Sequence, residues 1–245
     1  MTGAASGLGR ATAQALHGTG ACVVVADIEI DRAQSVAAQL GDRSLAVAVD
    51  VRDSEQVTTA LALAKERFGA LHIVVNCAGI ASSAKTLSNG EPHNLESWRQ
   101  VIDVNLTGTF NVLRLAAGHM IDNRPDAITG ERGVIINTAS IVALEGQRGQ
   151  VAYAASKAGV IALSLPVARD LAEHAIRCVA VAPGIFDTAM LKAIPDKGLQ
   201  ALQRTLLYPD RPGHPSEFGA LVCHVVENSY LNGVCLRLDG GARLT

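Results

Sequence analysis

Short apolar runs alternate with longer stretches of mixed polarity along the whole chain. The runs Ala21–Asp27, Leu45–Val49, His72–Asn76, Gly133–Ala139, Ile176–Ala182 and Val234–Leu238 are rich in Val, Ile and Ala. Their length and β-branched content predict strands. Between them, the spacing of apolar residues predicts helices over Arg10–Gly18, Asp31–Leu40, Ser54–Phe68, Leu95–Asn123, Val151–Glu173 and Pro215–Glu227. Continuous apolar strands separated by helices indicate a parallel sheet covered on both faces. The expected fold class is α/β, a doubly wound, Rossmann-like parallel sheet. No repeat, low-complexity tract or linker interrupts the rhythm, so residues 1–245 are read as one domain. Two segments break it, the polar and turn-rich Ala81–Asn94 and the loop-like Asp122–Arg132.

In an open parallel sheet, ligands lie beyond the carboxyl ends of the strands. Asp27, Asp50, Asn76, Ser140 and Pro183 all fall at such ends. Ahead of the first helix, Thr2-Gly3-Ala4-Ala5-Ser6-Gly7-Leu8-Gly9 is a glycine-rich loop. Glycines at this spacing permit a tight turn and let backbone N–H groups approach a phosphate. A lone glycine loop is often an ordinary turn. Here an apolar run ending in Asp27 follows it, where an acid in a nucleotide-binding unit bonds the ribose hydroxyls. Asp27 would repel the extra phosphate of NADP, and no Lys or Arg lies between Gly3 and Gly7. The reading is NAD.

Tyr153 and Lys157 are four apart on a predicted helix and therefore share a face. A tyrosine near its unperturbed pKa of ~10 is a poor base at neutral pH. A neighbouring ammonium favours the phenolate and lowers that value. The phenol can then exchange a proton with an alcohol or carbonyl oxygen. Ser140 is close enough in sequence to return over a loop to the same oxygen. A Tyr-x-x-x-Lys pair also occurs on ordinary surface helices; the glycine loop and the strand-end polar residues separate this one from those.

These features together resemble the short-chain dehydrogenase/reductase family. The matching landmarks are Thr2 to Gly9, Asp27, Asp50-Val51, Asn76-Cys77-Ala78-Gly79, Asn105 within Val104–Gly108, the Ser140–Tyr153–Lys157 set, and Pro183-Gly184 followed by Thr188. Within the family, Val75–Ile80, Val104–Val112, Arg132–Ser140, Leu165–Leu171 and Leu231–Gly240 are most similar to the group acting on 3-hydroxyacyl-CoA thioesters. The polar breaks at 81–94 and 122–132 resemble insertions of that group.

The resemblance implies an NAD-dependent interconversion of a secondary alcohol and a ketone. Its favoured substrate is a 3-hydroxyacyl-CoA. A hydroxysteroid, an NADPH-dependent 3-oxoacyl reductase and a non-catalytic NAD-binding scaffold are the alternatives. It makes Tyr153 the acid/base and has Lys157 bond the nicotinamide ribose and depress the tyrosine pKa. Ser140 holds the substrate oxygen, and Asn105 anchors a proton-relay water or, alternatively, is a helix-packing amide. Gly3, Ser6, Gly7, Leu8 and Gly9 hold the cofactor phosphates, and Asp50 and Val51 flank the adenine. Asp50 is equally a candidate N-cap for the next helix. Cys77, Ala78 and Gly79 approach the adenosine ribose, with Cys77 read as a small apolar filler rather than a reactive thiol. Pro183 and Gly184 pass beside the nicotinamide, and Phe186 and Thr188 meet its carboxamide. Gln147 reaches the substrate carbonyl or is a solvent-facing loop amide. The segment Asp187–Pro212 is the expected lid. Its Met190, Leu191, Leu199, Leu202, Leu206, Leu207 and Tyr208 form an acyl tunnel or the buried face of an amphipathic helix. Lys192, Lys197 and Arg204 are candidates for the CoA phosphates. Family members are commonly homotetramers, and the same is expected here.

Composition narrows the classes. A formal charge of −2 and 3% aromatic residues give no bias toward nucleic acid. The five cysteines have no Cys-x-x-Cys pair and the seven histidines no metal-ligand spacing, so no metal is expected. Scattered cysteines in apolar runs suit a reducing compartment. With neither a signal-like segment nor a run of ~18 apolar residues, a soluble cytoplasmic protein without membrane contact is expected. Finally, members of the family open with an apolar strand leading into the glycine loop, whereas Met1-Thr2-Gly3 begins at its end. A central first strand is expected to be missing from this sequence, and a Val/Ile-rich segment of roughly 5–10 residues is expected upstream.

Overall fold

A computed structural model describes residues 1–194 and 196–244, and the side chains of all of these except Asp196 and Lys197. The order along the chain is α1 (Gly7–Gly18), β1 (Val23–Asp27), α2 (Ile30–Leu40), β2 (Ser44–Ala48), α3 (Ser54–Phe68) and β3 (Ile73–Asn76). A small hairpin follows, β4 (Leu87–Ser88) and β5 (Glu91–Pro92). Then come α4 (Leu95–Ile102), a π-helical segment (Asp103–Thr107), α5 (Gly108–Met120), β6 (Gly133–Thr138), α6 (Val142–Glu145) and α7 (Val151–Asp170). The chain continues through β7 (Ile176–Pro183), α8 (Ala189–Lys192), α9 (Asp196–Gln203), α10 (Pro215–Glu227) and β8 (Cys235–Leu238).

All pairings in the main sheet are parallel: β1 with β2, then β3, β6, β7 and β8 in that order. The α/β fold read from the sequence is therefore present. Between β1 and β3, among the described residues, only Met1 and Thr2 enter the sheet. Thr2 bridges Ala26 on one side and Asn76 on the other. Its N–H donates to Val75 O at 3.0 Å, and its carbonyl accepts from Cys77 N at 3.2 Å. Below them a cavity of about 50 Å³ is bounded by Met1, Val24, Val49, Leu61 and Val74. The two halves of the sheet are thus joined at their carboxyl end, the end that carries the site.

Two apolar cores lie on the two faces of the sheet. One packs Val25, Val75, Ile136 and Val179 with Leu16 of α1 and Phe218, Val222 and Val225 of α10. The other packs Val74, Ile135 and Cys178 with Val57 and Leu61 of α3 and Val112, Ala116 and Met120 of α5. Helix α7 is long and apolar enough to cross a membrane by length and composition. Here it buries Ser156, Lys157 and Ser164 instead, so its polarity faces the interior of the fold.

The expected helix Leu95–Asn123 is one continuous rod from Leu95 to Met120, three residues shorter than expected, in which Asp103–Thr107 widens to π geometry. Helix α3 is capped by Asp53, whose carboxylate accepts from the N–H groups of Glu55 at 2.9 Å and Gln56 at 3.2 Å. That corrects the alternative assignment of Asp50 as N-cap. Asp50 lies one turn too early and is engaged by Arg52.

Candidate active site

The glycine loop shows why no larger residue fits. Gly3 has φ +61°, and a Cβ there would stand 2.7 Å from the Ala78 nitrogen. A Cβ on Gly9 would stand 2.1 Å from Gly3 O. Ser6 is the N-cap of α1 by position, yet its side chain caps nothing. The first N–H groups of α1, at Gly7 and Leu8, therefore have no capping acceptor. Free N–H groups at the positive end of a helix dipole suit an anion. The donor set fits the pyrophosphate of a dinucleotide.

Asp27 ends β1 beside this loop. One carboxylate oxygen accepts from Ala5 N at 3.0 Å and the other from Glu29 N at 3.1 Å. Asp50 ends the segment after β2, and its carboxylate takes the Arg52 guanidinium through Nε at 3.0 Å and Nη2 at 2.6 Å. Arg52 holds the Asp50 carboxyl below the ordinary carboxylate range. Val51 is buried, and its carbonyl accepts from Asn111 Nδ2 at 2.8 Å. After β3, Ala78 N donates to Thr2 Oγ1 at 3.3 Å. Burial pushes the Cys77 thiol up, and it accepts from Thr138 Oγ1 at 3.3 Å, in keeping with the filler role.

Ser140, Tyr153, Lys157 and Asn105 converge from three elements. Ser140 follows β6 on a segment held against the end of β7, where Ile141 N donates to Pro183 O at 3.1 Å. The Ser140 hydroxyl faces the Tyr153 phenol on the first turn of α7. Lys157, one turn on, is buried; its Nζ donates to Thr138 O at 2.7 Å and stands 5.8 Å from the Tyr153 ring centroid. Burial pushes Lys157 down to about 8, against a smaller opposing effect of Cys77. Burial also pushes the Tyr153 phenol up, and the Ser140 hydroxyl only partly counters it. The expectation that Lys157 depresses the phenol is not met in the protein alone. The ammonium is directed at Thr138 O, and desolvation of the ring hydroxyl outweighs the rest.

Asn105 is fully buried in the π segment. Its Oδ1 accepts from Ile80 N at 2.8 Å, while Nδ2 donates to Ile80 O at 2.9 Å and Ser156 Oγ at 3.1 Å. The amide is therefore a cross-link from α4–α5 to the loop after β3. A Cβ on Gly79 would stand 3.3 Å from Asn105 Oδ1 and 3.5 Å from Lys157 Nζ, so these three share one small space. π-helical turns are frequent at functional sites.

On the other wall, Gly184 N donates to Leu238 O at 2.9 Å. The Phe186 ring is buried edge-on against Phe218, with centroids 6.3 Å apart, so only its backbone faces outward for a carboxamide. Thr188 caps α8, and its methyl lies 3.5 Å from where a Cβ on Gly7 would be, placing the start of the lid over the glycine loop. The lid residues divide. Leu202 and Leu206 are buried with Ile141 and Ile185, whereas Met190, Leu207 and Tyr208 are exposed. Lys192 pairs with Asp187 at 3.0 Å, Arg204 is exposed, and the Lys197 side chain lies outside the described residues. Gln147 borders a cavity of about 730 Å³ bounded by Lys85, Arg148 and the α7 residues Ala154, Ala155 and Ala158, not by Tyr153 or Lys157. Among the described residues no cluster of His, Cys, Asp or Glu could hold a metal ion.

The family model described as short chain dehydrogenase matches residues 1–198. The chain belongs to this family. It is 49% identical over 246 residues to the human protein named 3-hydroxyacyl-CoA dehydrogenase type-2, covering 100% of this chain and 94% of that protein. A Drosophila melanogaster protein of the same name is 48% identical, covering 100% and 96%. A 3-oxoacyl-(acyl-carrier-protein) reductase of Thermotoga maritima is 35% identical over 247 residues, covering 98% and 95%. The crystal structure of 3-hydroxyacyl-CoA dehydrogenase type-2 from Mycobacterium avium superposes with a TM-score of 0.94 at 36% identity, covering 100% of this chain and 95% of that one. The short-chain dehydrogenase is thus an oxidoreductase acting on CH–OH groups with a nicotinamide cofactor.

Several working parts of this dehydrogenase carry no signal in its sequence. Thr138 acts through its carbonyl and Ile80 through both backbone groups. Any residue could serve there. Ser156 could have been singled out as a polar residue on the Lys157 side of a predicted buried helix.

Proposed function

We propose that this protein is an NAD-dependent dehydrogenase of 3-hydroxyacyl-CoA thioesters in which Tyr153 exchanges the proton. The observation that carries the chemistry is the approach of half-buried Tyr153 to the buried Ser140 and Lys157 at the carboxyl end of the sheet. The names of the human and Drosophila relatives support the substrate. Held by the glycine loop and Asp27, a nicotinamide cofactor would supply the hydride acceptor for oxidation and the hydride donor for reduction. Tyr153 takes the hydroxyl proton in oxidation and returns it in reduction. Ser140 fixes the substrate oxygen against the phenol. Lys157 and Asn105 hold the floor of the site, and Asn105 positions the Gly79–Ile80 backbone.

The test is a panel of 3-hydroxyacyl-CoAs and hydroxysteroids with NAD, followed by NADH absorbance. Turnover of the thioesters is expected. Steroid-only turnover would replace the substrate assignment, and tight NAD binding without any turnover would point to a scaffold.

The Thermotoga relative favours a second reading, an NADPH-dependent 3-oxoacyl reductase. Asp27 speaks against it, since an acid at the ribose opposes a 2′-phosphate. Asp27→Ala should weaken NAD by about ten- to a hundredfold, because hydrogen bonds to a charged group are worth about 1.5–3 kcal/mol. NADP should weaken less. Titration of both cofactors by protein fluorescence measures this, and an unchanged NAD/NADP preference would move the determinant elsewhere.

The same reading includes a homotetramer in a reducing, cytoplasm-like compartment. Supporting it, Leu95 and Phe110 on the α4–α5 rod and Val151 and Leu165 on α7 are exposed apolar side chains, and the five cysteines are free. Phe110→Asp should lower the sedimentation coefficient toward that of a smaller species. A single unchanged boundary for wild type and variant would remove this face from the assembly.

A further inference from the structure

The C-terminal segment meets all three walls of the site. Against the nicotinamide side, Gly184 N donates to Leu238 O, and a Cβ on Gly184 would stand 2.7 Å from Asp239 Cα. Against the lid, Ala242 and Leu244 pack with Leu202 and Leu206, and Tyr208 N donates to Gly240 O at 3.2 Å. Against the substrate side, Glu145 is the only charged residue of α6, the short helix between Ser140 and Gln147. One of its oxygens accepts from Leu244 N at 2.7 Å. The other meets Arg237 Nη2 at 2.7 Å and Arg243 Nε at 3.6 Å. Asp239 completes the set, taking Arg237 Nε at 2.7 Å and Arg243 Nη1 at 3.3 Å.

Two features set this network apart from ordinary surface ion pairs. Glu145 and Asp239 are largely sheltered, at 16% and 10% side-chain exposure. It also joins residues 99 apart in sequence, so no local element would otherwise hold them together. The apolar cluster beside it includes Ile141, the residue after Ser140. Ion pairs and apolar packing therefore tie the same two segments.

We propose that Glu145 is a positioning residue through which the C-terminal segment Arg237–Leu244 fixes the Ser140–Gln147 segment and the lid relative to Tyr153, and so governs substrate binding. The inference rests on the reading of Ser140–Gln147 as the substrate side of the site. Both Glu145 carboxylate oxygens are engaged by the C-terminal segment, at Leu244 N, Arg237 and Arg243. Releasing Glu145 frees the wall without removing a reacting group, so the loss falls on KM rather than on kcat.

The experiment compares wild type, Glu145→Gln, Glu145→Ala and Arg243→Ala. Amide hydrogen exchange is measured over residues 141–150 and 239–244, with NADH affinity and steady-state kinetics. Glu145→Ala should speed exchange in both segments together and raise KM about tenfold or more, with kcat within about threefold. Its NADH affinity should match wild type. Glu145→Gln keeps an acceptor for Leu244 N and should fall between. Arg243→Ala removes the 3.6 Å contact to Glu145 but leaves Leu244 N and Arg237 on that carboxylate, so it should fall closest to wild type, giving a readout even if Glu145→Ala folds poorly. Unchanged exchange over 141–150, a loss confined to kcat or to NADH affinity, or faster exchange throughout the protein would each overturn the proposal. If wild type turns over no 3-hydroxyacyl-CoA, the substrate reading fails, and the exchange data still decide the role of Glu145.

Discussion

Tyr153→Phe is expected to lower turnover by about 10²–10⁴-fold, the usual range for loss of a positioned acid–base group. The substitution removes one oxygen and leaves a ring of the same shape in the same half-buried position. Cofactor affinity should therefore stay close to wild type, because the glycine loop and Asp27 are untouched. The pH dependence supplies the sharper criterion. Burial raises the phenol pKa, with Ser140 opposing. Alcohol oxidation needs the phenolate, so wild-type oxidation should rise with pH through the neutral range. Ketone reduction needs the phenol, which is fully present there, and should be flatter. Stopped-flow NADH formation and consumption across pH measures both. Retention of more than about a tenth of the wild-type rate by Tyr153→Phe would remove Tyr153 from the proton transfer.

What could be read ahead of the structure follows a physical divide. Strands and helices announce themselves through local periodicity, and Ser54–Phe68 and Pro215–Glu227 appear with the expected bounds. Site residues at strand ends were legible because an open parallel sheet gathers those ends on one edge. The pattern could not give partners that act through the backbone or across long separations. Lys157 resembles a cation poised for Tyr153, yet its hydrogen bond goes to the Thr138 carbonyl. Asp50 carries the signature of a helix cap, but Asp53 is better placed and Arg52 takes Asp50 instead.

Arg177 makes the same point inside the core. It sits in an apolar strand run, where a charge is costly unless paired. The structure gives it Glu131 at 2.9 Å and the carbonyls of Val225, Val226 and Leu231, three from the end of α10 and the turn beyond. These are contacts over 46 to 54 residues. Local pattern reports which face a residue occupies, and the fold decides what it meets there. The lid is an intermediate case. Its apolar spacing predicts a buried face, realised at Leu202 and Leu206, but spacing alone does not divide them from exposed Leu207 and Tyr208.

Lys157→Met should abolish useful turnover and yet relieve the fold of a burden at neutral pH. Loss of a preorganised charge beside the reacting oxygens costs about a hundredfold or more in rate. The stability effect runs the other way. In the unfolded chain the ammonium titrates near 10.5, and in the fold burial moves it to about 8. Above 10.5 both states are neutral and the shift has no effect. As pH falls, the unfolded chain takes up the proton first and is favoured. Below about 8 both states are charged and the full cost remains, roughly 3 kcal/mol for that change in pKa. Methionine removes this cost but leaves the Thr138 carbonyl without its 2.7 Å donor, a loss of about 1–3 kcal/mol. At pH 7 the variant should therefore be as stable as wild type or more stable by up to about 2 kcal/mol. Between pH 8 and pH 10 wild type should gain on the variant steadily. Urea unfolding of both proteins at pH 7, 8, 9 and 10 measures the difference. A difference that stays constant over that range would mean that burial does not shift Lys157, and the electrostatic account of this site would have to be rebuilt around Ser140 and Asn105.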